Sequence, residues 1–377
     1  MGFENIQNKI GEYLIIDKES DYLLEIILAV AISLEFDRPL WVMIQAPSSS
    51  GKSENLKFMD GLPDFHKLFS LTGKTLFSGH DIAEGGYIPI RIKEKGILCL
   101  PDFTSVLSAS ANIRNEIFSQ LRMAYDGEGS RGTGVNVKSI KTWHGKIALI
   151  IGVTDVIEKI KNKMTDLGER FIYYRHDITN IDFRKFKYDK GKNNREKEKE
   201  IQRLITDLVL EKRSIVAEIE FPSEIEGWIL QSCIFIAQTR AVVERGSYNK
   251  EINYIHKPEM PFRLAKQLTT LYLSLKSFQN DESRILEILY LVINSCIPEL
   301  RKKIIDKIIK NGPTEVKVIS KITGYSAKFL YRELQDMQRQ KLLIRIESEN
   351  PKKWQLHPEF QKLYESIFSN NSVSVKV

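Results

Sequence analysis

The hydrophobic positions begin in a helical rhythm. Tyr22, Leu23, Ile26, Ile27, Val30 and Ile32 recur at the spacing that puts one helix face against a core, until Asp37-Arg38-Pro39 breaks the pattern. Residues 1–38 therefore read as helices packing on the core of the chain. The period then changes to short unbroken apolar runs: Leu40-Trp41-Val42-Met43-Ile44, Gly96-Ile97-Leu98-Cys99-Leu100, and Lys146 to Gly152, which ends at Val153-Thr154. Strands covered on both faces have this appearance, so the runs predict a parallel α/β sheet with helices between its strands. One such helix spans 111–125, with Ile113, Ile117, Phe118 and Leu121 on its apolar side. After it come a glycine-rich turn, 126–134, and an alternating stretch from Val135 to Trp143, which predict a β-hairpin ahead of the third core strand. Residues 181–203, rich in lysine, read as a charged, solvated loop entering a helix, and 204–290 as all helical.

From Leu291 the pattern changes again. Ile304, Ile305 and Ile308 mark one helix and Val316 to Ile322 a second; Gly324-Tyr325 makes a turn, and Ser326 caps a third helix carrying Leu330, Leu334 and Met337. Leu342 to Ile346 and Trp354 to Leu356 then predict two strands around 347–353. The whole resembles a winged helix. Lys328, Arg332, Arg339, Lys352 and Lys353 would lie on its third helix and wing, where they could meet phosphates and groove edges. Against that, Glu333, Asp336, Glu347 and Glu349 dilute the charge, and winged helices also serve as protein-interaction modules.

Composition narrows the picture only a little. The chain has 377 residues, 42% hydrophobic and 28% charged, enough for two or three domains of ordinary globular make-up. A net charge of +7 favours an anionic partner. Cys99, Cys233 and Cys296 lie far apart in apolar surroundings, with neither disulfide nor metal-ligand spacing, and read as buried thiols of a reducing cytosol. The longest apolar run, Ile26 to Leu34, is too short to span a bilayer, so the expectation is a cytoplasmic protein without a membrane partner.

The chemistry starts where the first strand ends. Ala46-Pro47-Ser48-Ser49-Ser50-Gly51-Lys52-Ser53 has the small-residue loop and Lys-Ser ending of a phosphate-binding P-loop. Backbone N–H groups of a tight loop converge on a phosphate, Lys52 reaches the β/γ oxygens, and Ser53 offers a hydroxyl to Mg²⁺. Ala46 and Pro47 depart from the pattern, whose first position is glycine. A second-strand acid completes such a site, and Ile97 to Pro101 followed by Asp102 supplies it, with proline where aspartate is usual. Asp102 is either the metal-shell acid displaced by one or the water-activating acid. Thr154 ends the third strand, where it can cap the following helix; these elements resemble those of AAA+ ATPases, and the resemblance implies a polar sensor beside the γ-phosphate at this place.

Together with Gly168-Glu169-Arg170-Phe171, these elements resemble the core of AAA+ ATPases, and the hairpin before the third strand resembles their helicase-type clade, which includes the MCM proteins and replication ATPases of phages and mobile elements. The resemblance implies an α/β P-loop core with a parallel sheet, an α-helical lid and a C-terminal winged helix, dividing as 1–38, 39–180, 181–290 and 291–377. It implies Arg170 as an arginine finger acting on a neighbouring subunit's ATP, the alternative being a surface arginine bonded to Glu169. It likewise implies Arg263, at the start of the helix holding Leu264, Leu268 and Leu271, as a second sensor. The expected function is a Mg²⁺-dependent ATP hydrolase forming a homo-oligomeric ring, a hexamer, that translocates or unwinds DNA in replication. Single-stranded DNA would lie in the pore against Lys138, Lys141 and Lys146, with Trp143 as a stacking face, and duplex at the winged helix. The alternative is a nucleotide-switched DNA-binding or assembly ATPase, such as a loader, regulator or defence protein, that does not unwind DNA.

Overall fold

The computed structural model describes residues 3–13, 18–48, 50–77, 85–129, 142–157, 170–176, 194–246, 248, 250–348 and 350–369. They divide into two compact units, Met1–Glu220 with Lys266–Leu289, and Phe221–Ala265 with Tyr290–Val377.

The first unit is α/β. After α1 (Phe3–Tyr13) and α2 (Lys18–Ile32) comes β1 (Trp41–Gln45), then α3 (Lys52–Lys57), β2 (Phe65–Lys67) and β3 (Lys95–Leu100). Next are α4 (Thr104–Ser108), α5 (Ala111–Asp126) and the two-residue strands β4 (Glu128–Gly129) and β5 (Trp143–His144), followed by β6 (Lys146–Val153), β7 (Ile172–Arg175) and α6 (Asn194–Arg213). Five strands form one parallel sheet in the order β2-β3-β6-β1-β7. The three runs predicted as buried strands are its centre, and every residue of β1 is buried. β2 and β7 are the edges; with three and four residues, they are too short for a periodicity argument. From β1 the chain crosses to the far edge at β2, returns through β3 and β6, and passes beyond β1 to β7. Connections thus leave the neighbours β1 and β6 in opposite directions, and the carboxyl ends of such a strand pair are where open α/β sheets form crevices.

Helices cover this sheet and are tied to one another and to its connecting loops by specific bonds. α2 is buried from Tyr22 to Ile32, including Glu25, which is fully inaccessible. Its carboxylate accepts from Arg284 Nε at 2.9 Å and Nη2 at 2.7 Å, and from Gln279 at 3.1 Å, while the guanidinium lies 3.7 Å from the Tyr22 ring centre. Burial holds this carboxyl above the ordinary range against the pull of Arg284. α6, grouped with a helical lid by the sequence boundaries, belongs to the first unit: Arg213 donates to Asp64 at 2.7 Å and to the Ala31 carbonyl at 3.0 Å, and Gln202 to the Lys57 carbonyl at 2.9 Å.

In the second unit, α7 (Ser223–Arg240) precedes an antiparallel hairpin, β8 (Val243–Arg245) and β9 (Ile252–Ile255), within a region expected to be all helical. The sequence signal for this hairpin is slight, a glycine at 246 followed by the short run Ile252-Asn253-Tyr254-Ile255. Helices α8 (Phe262–Lys276) and α9 (Glu282–Cys296) have residues in both units. The remaining elements are α10 (Glu299–Asn311), β10 (Thr314–Glu315), α11 (Val316–Thr323), α12 (Ala327–Arg339), β11 (Leu343–Ile346), β12 (Lys353–Leu356) and α13 (Pro358–Phe368). The short strands form an antiparallel sheet, β10-β12-β11. The expected turn is present, with Gly324 at φ +74° and the Ser326 hydroxyl accepting Phe329 N–H at 3.3 Å. Phe235 of α7 stacks on Phe360 of α13 at 4.8 Å. No helix among the described residues is long and apolar enough to cross a membrane.

Because Glu25 has no access to water, removing its cation leaves a buried charge unmatched. Arg284→Met should lower the urea midpoint of the first unit by the equivalent of about 3–5 kcal/mol, and Glu25→Leu combined with Arg284→Met should regain most of it. Equal loss in the single and double variants would show that the two side chains are not coupled.

Candidate functional site

The site grows out of the ends of β1 and β6. Ala46 N–H donates to the Val153 carbonyl at 3.1 Å, so the loop leaving β1 is fastened to the last residue of β6. It turns at Gly51, whose φ of +82° a side chain would strain, and Gly51 O accepts from Glu54 and Asn55 as α3 begins. This geometry sends Lys52 back over the strand ends. Its Nζ donates to the Ala46 carbonyl at 2.7 Å and the Val153 carbonyl at 3.0 Å. Among the described residues no carboxylate forms an ion pair with it. Burial lowers the Lys52 pKa, while Asp102 and Asp155 push it back up. A half-buried ammonium held only by carbonyls is a standing attraction for an anion.

The loop contains a second unsatisfied group. Ser50 is buried at 8% exposure, and its Oγ has no hydrogen-bond partner among the described residues. Ser53 is exposed on the first turn of α3; Pro47 and Ser48 are exposed as well, and Ser49 lies outside the described residues.

The end of β3 joins this cluster through a close approach. A β-carbon at Gly152 would stand 2.1 Å from the Pro101 carbonyl, so only glycine lets the chain leaving β3 fold across β6. Phe103 N–H donates to the Gly152 carbonyl at 2.9 Å and fixes the crossing. Asp102 is thereby carried to the exposed strand end, where its Oδ1 accepts Thr104 N–H at 2.9 Å, and the Thr104 and Thr154 hydroxyls lie 3.5 Å apart. Lys52, Ser50, Asp102 and Thr154 therefore meet at three adjacent loops, and Asp155 accepts from Gln45 at 3.1 Å just behind them. Ser53 and Asp102 offer hard oxygen donors of the type Mg²⁺ takes. Asp102 keeps both readings, metal-shell acid or water activator.

One residue at the site went unnoticed in the sequence. His176, 2% exposed, follows β7; its N–H donates to Gln45 O at 2.9 Å and its Nε2 lies 3.1 Å from Ser50 O. No motif marks it. Only the pairing of β7 alongside β1 delivers it beneath the loop, and that pairing is not readable from a four-residue strand.

Other expected residues lie elsewhere. Arg170 precedes β7, so it sits at the edge of the sheet opposite Lys52, and Phe171 beside it meets Trp41 at the start of β1 with ring centres 5.2 Å apart. Its side chain is 11% exposed, 3.4 Å from Asp126 and 5.4 Å from the Tyr125 ring centre. Trp143 is not a stacking face: it is buried at 4%, donates from Nε1 to the Lys93 carbonyl at 2.7 Å and packs on Phe77. The hairpin base is present as Gly129 paired with Trp143, whereas Lys138 and Lys141 lie outside the described residues. Lys146 pairs with Asp37 at 3.5 Å. Arg263 lies in the second unit, on the first turn of α8.

No protein-family model and no curated protein matches the chain. Among solved structures it is similar to NtrX from Brucella abortus in complex with ADP, at 14% identity and a TM-score of 0.29, over 85% of this chain and 68% of that one. Similarity at that level carries no argument about function.

The Gly152 crossing is testable. Gly152→Ala should destabilise the first unit by at least the 1–3 kcal/mol or so of an overpacked core, because the obstructing atom is backbone. An unchanged unfolding midpoint would mean that β3 does not fold over β6 in this way.

Proposed function

We propose that the first unit binds ATP with Mg²⁺ at the loop 46–53 and hydrolyses it, as an ATPase of the AAA+ kind. The observation that carries this reading is the Lys52 ammonium, held on two strand-end carbonyls with no ion pair among the described residues and flanked by the unpartnered Ser50 hydroxyl. A triphosphate satisfies both groups. Lys52 would bind the β- and γ-phosphate oxygens, Ser53 and Asp102 would hold the metal, and bound Mg²⁺ would neutralise charge on the same oxygens. Water attacks the γ-phosphorus, the bond to the bridging oxygen of ADP breaks, and phosphate leaves. Thr154, linked to Thr104, stands at the neighbouring strand end where it can orient that water. Lys52→Ala should abolish hydrolysis and weaken binding, whereas Asp102→Asn should retain ATP and lose roughly a hundredfold or more in turnover. ATPase assays with fluorescent-nucleotide titrations check both, and wild-type turnover in Lys52→Ala would remove the assignment.

We further propose that the second unit is a winged helix that binds DNA, on the strength of how its charges are sorted. The carboxylates that dilute α12 in the sequence are used internally. Glu333 accepts from Arg301 at 2.7 Å, and that arginine also donates to the Thr239 and Ala241 carbonyls. Asp336 is bound by Arg245 of β8 at 2.5 Å. Lys317, Lys321, Lys328, Arg332 and Arg339 have no carboxylate partner among the described residues. On the wing, by contrast, Lys352 is neutralised by Glu347 at 2.5 Å. Lys328→Glu with Arg332→Glu should weaken DNA binding by about tenfold or more and flatten its salt dependence by roughly 0.7–0.9 per lost phosphate contact, while Lys352→Ala should change little. Equal salt slopes for wild type and the double variant would rule out this face.

Whether the ATPase drives a ring-shaped, hexameric motor or a nucleotide-switched DNA-binding protein is decided by ATP-dependent displacement of a labelled strand. The motor reading rests on Arg170 as a finger in trans, and it requires that arginine to leave Tyr125 and Asp126.

A further inference from the structure

The contact between His176 and the loop reaches beyond packing. Ser50 O is a carbonyl oxygen and can only accept, so at 3.1 Å the imidazole must present Nε2–H to it. The Ser50–Gly51 peptide is trans, which places the Gly51 N–H antiparallel to the Ser50 carbonyl and so directs it away from His176. A peptide that precedes glycine is easily turned over, since rotation about Ser50 ψ and Gly51 φ meets no side chain at Gly51. Gly51 already sits at φ +82°, and nothing lies closer than 4.0 Å to where its β-carbon would be. Restraint must therefore come from outside the loop, and His176 supplies it. The histidine is itself held, because its backbone N–H is bonded to Gln45 O at 2.9 Å and the residue is 2% exposed. Ser50, the residue it grips, also carries the buried hydroxyl that has no hydrogen-bond partner among the described residues.

We propose that His176 is a positioning residue that locks the Ser50–Gly51 peptide, aiming Gly51 N–H and the Ser50 side chain at an anionic phosphate. This rests on the nucleotide reading and deepens it. His176 touches no ligand; it acts through the orientation of one backbone donor. Loss of the lock penalises the phosphate-bearing part of a ligand and leaves the base and ribose untouched, which a general loosening of the fold would not do.

The test compares ATP, pyrophosphate and adenosine on wild type, His176→Leu, His176→Asn and His176→Gln, by calorimetric titration, with near-ultraviolet circular dichroism reporting the fold. Glutamine can bring an amide N–H to the place of Nε2, whereas asparagine is too short. The expected result is a loss of about tenfold for ATP and pyrophosphate in His176→Leu and His176→Asn, the size of one hydrogen bond to a charged group. Adenosine affinity should be unchanged, and His176→Gln should lie within about threefold of wild type. Unchanged ATP and pyrophosphate affinity in the leucine and asparagine variants overturns the inference, as does an equal loss for adenosine. If His176→Leu does not fold, the glutamine and asparagine pair decides, and indistinguishable affinities there also overturn it. Failure of the wild type to bind ATP or pyrophosphate would instead bring down the nucleotide reading itself.

Discussion

The ammonium of Lys52 hangs on the carbonyls of Ala46 and Val153, the oxygens at the ends of two neighbouring parallel strands. That single arrangement constrains much of the first unit. It demands that β6 lie directly beside β1; β2 and β3 stand on the far side of β6, and the chain crosses the sheet to reach them. It demands that the loop between Ala46 and Lys52 turn back tightly, which Gly51 in the left-handed region accomplishes. It also makes the end of β6 crowded, because β3 must deliver an acid to the same place. Gly152 opens the necessary space by having no side chain, and Pro101 fills it with backbone. Such a site holds a cation half out of water with no ion pair among the described residues, tolerable because two carbonyl dipoles and the nearby Asp102 and Asp155 stabilise it in part.

In the second unit a different constraint sorts the charges. α12 carries acids and bases along one helix, and on the surface they would cancel. Two arginines from outside the helix, Arg301 and Arg245, draw Glu333 and Asp336 to the inner side. Burial, with the neighbouring Glu333 charge, raises the Asp336 pKa, and Arg245 opposes that rise. The outer side is left to Lys328, Arg332 and Arg339. Pairing inside thus creates field outside, and the net charge of +7 says nothing about it.

These two cases show what sequence can and cannot carry. The buried strands, the loop with Lys52, the acid at 102 and the three C-terminal helices were legible because each writes a local signal: an unbroken apolar run, a glycine before lysine, a serine cap. His176 was not legible, because its importance comes from the pairing of a four-residue edge strand with β1. The hairpin β8–β9 was missed for a related reason, since its two short strands alternate too briefly to outweigh the helical stretches on either side. Trp143 could be weighed either way from its neighbours, and only the Lys93 carbonyl waiting for its indole N–H decides for burial. The partners of Glu333 and Asp336 lie 32 and 91 residues away, beyond any local rule.

Arg170 shows how strand geometry limits mechanism. Parallel strands place every carboxyl end on one edge of the sheet, and Arg170 enters β7 from the other edge, so it stands away from its own subunit's Lys52. An arginine finger at this position can only be a finger for a neighbour. In the isolated chain its guanidinium lies on the Tyr125 ring and near Asp126, whose side chain is 49% exposed, and the Gln267 amide donates to its carbonyl at 2.7 Å. The arginine side chain is itself only 11% exposed, so the ring face and the carboxylate hold it together. On the proposed trans-finger reading, the guanidinium would have to leave both the Tyr125 ring and Asp126 before it could reach a neighbour's nucleotide.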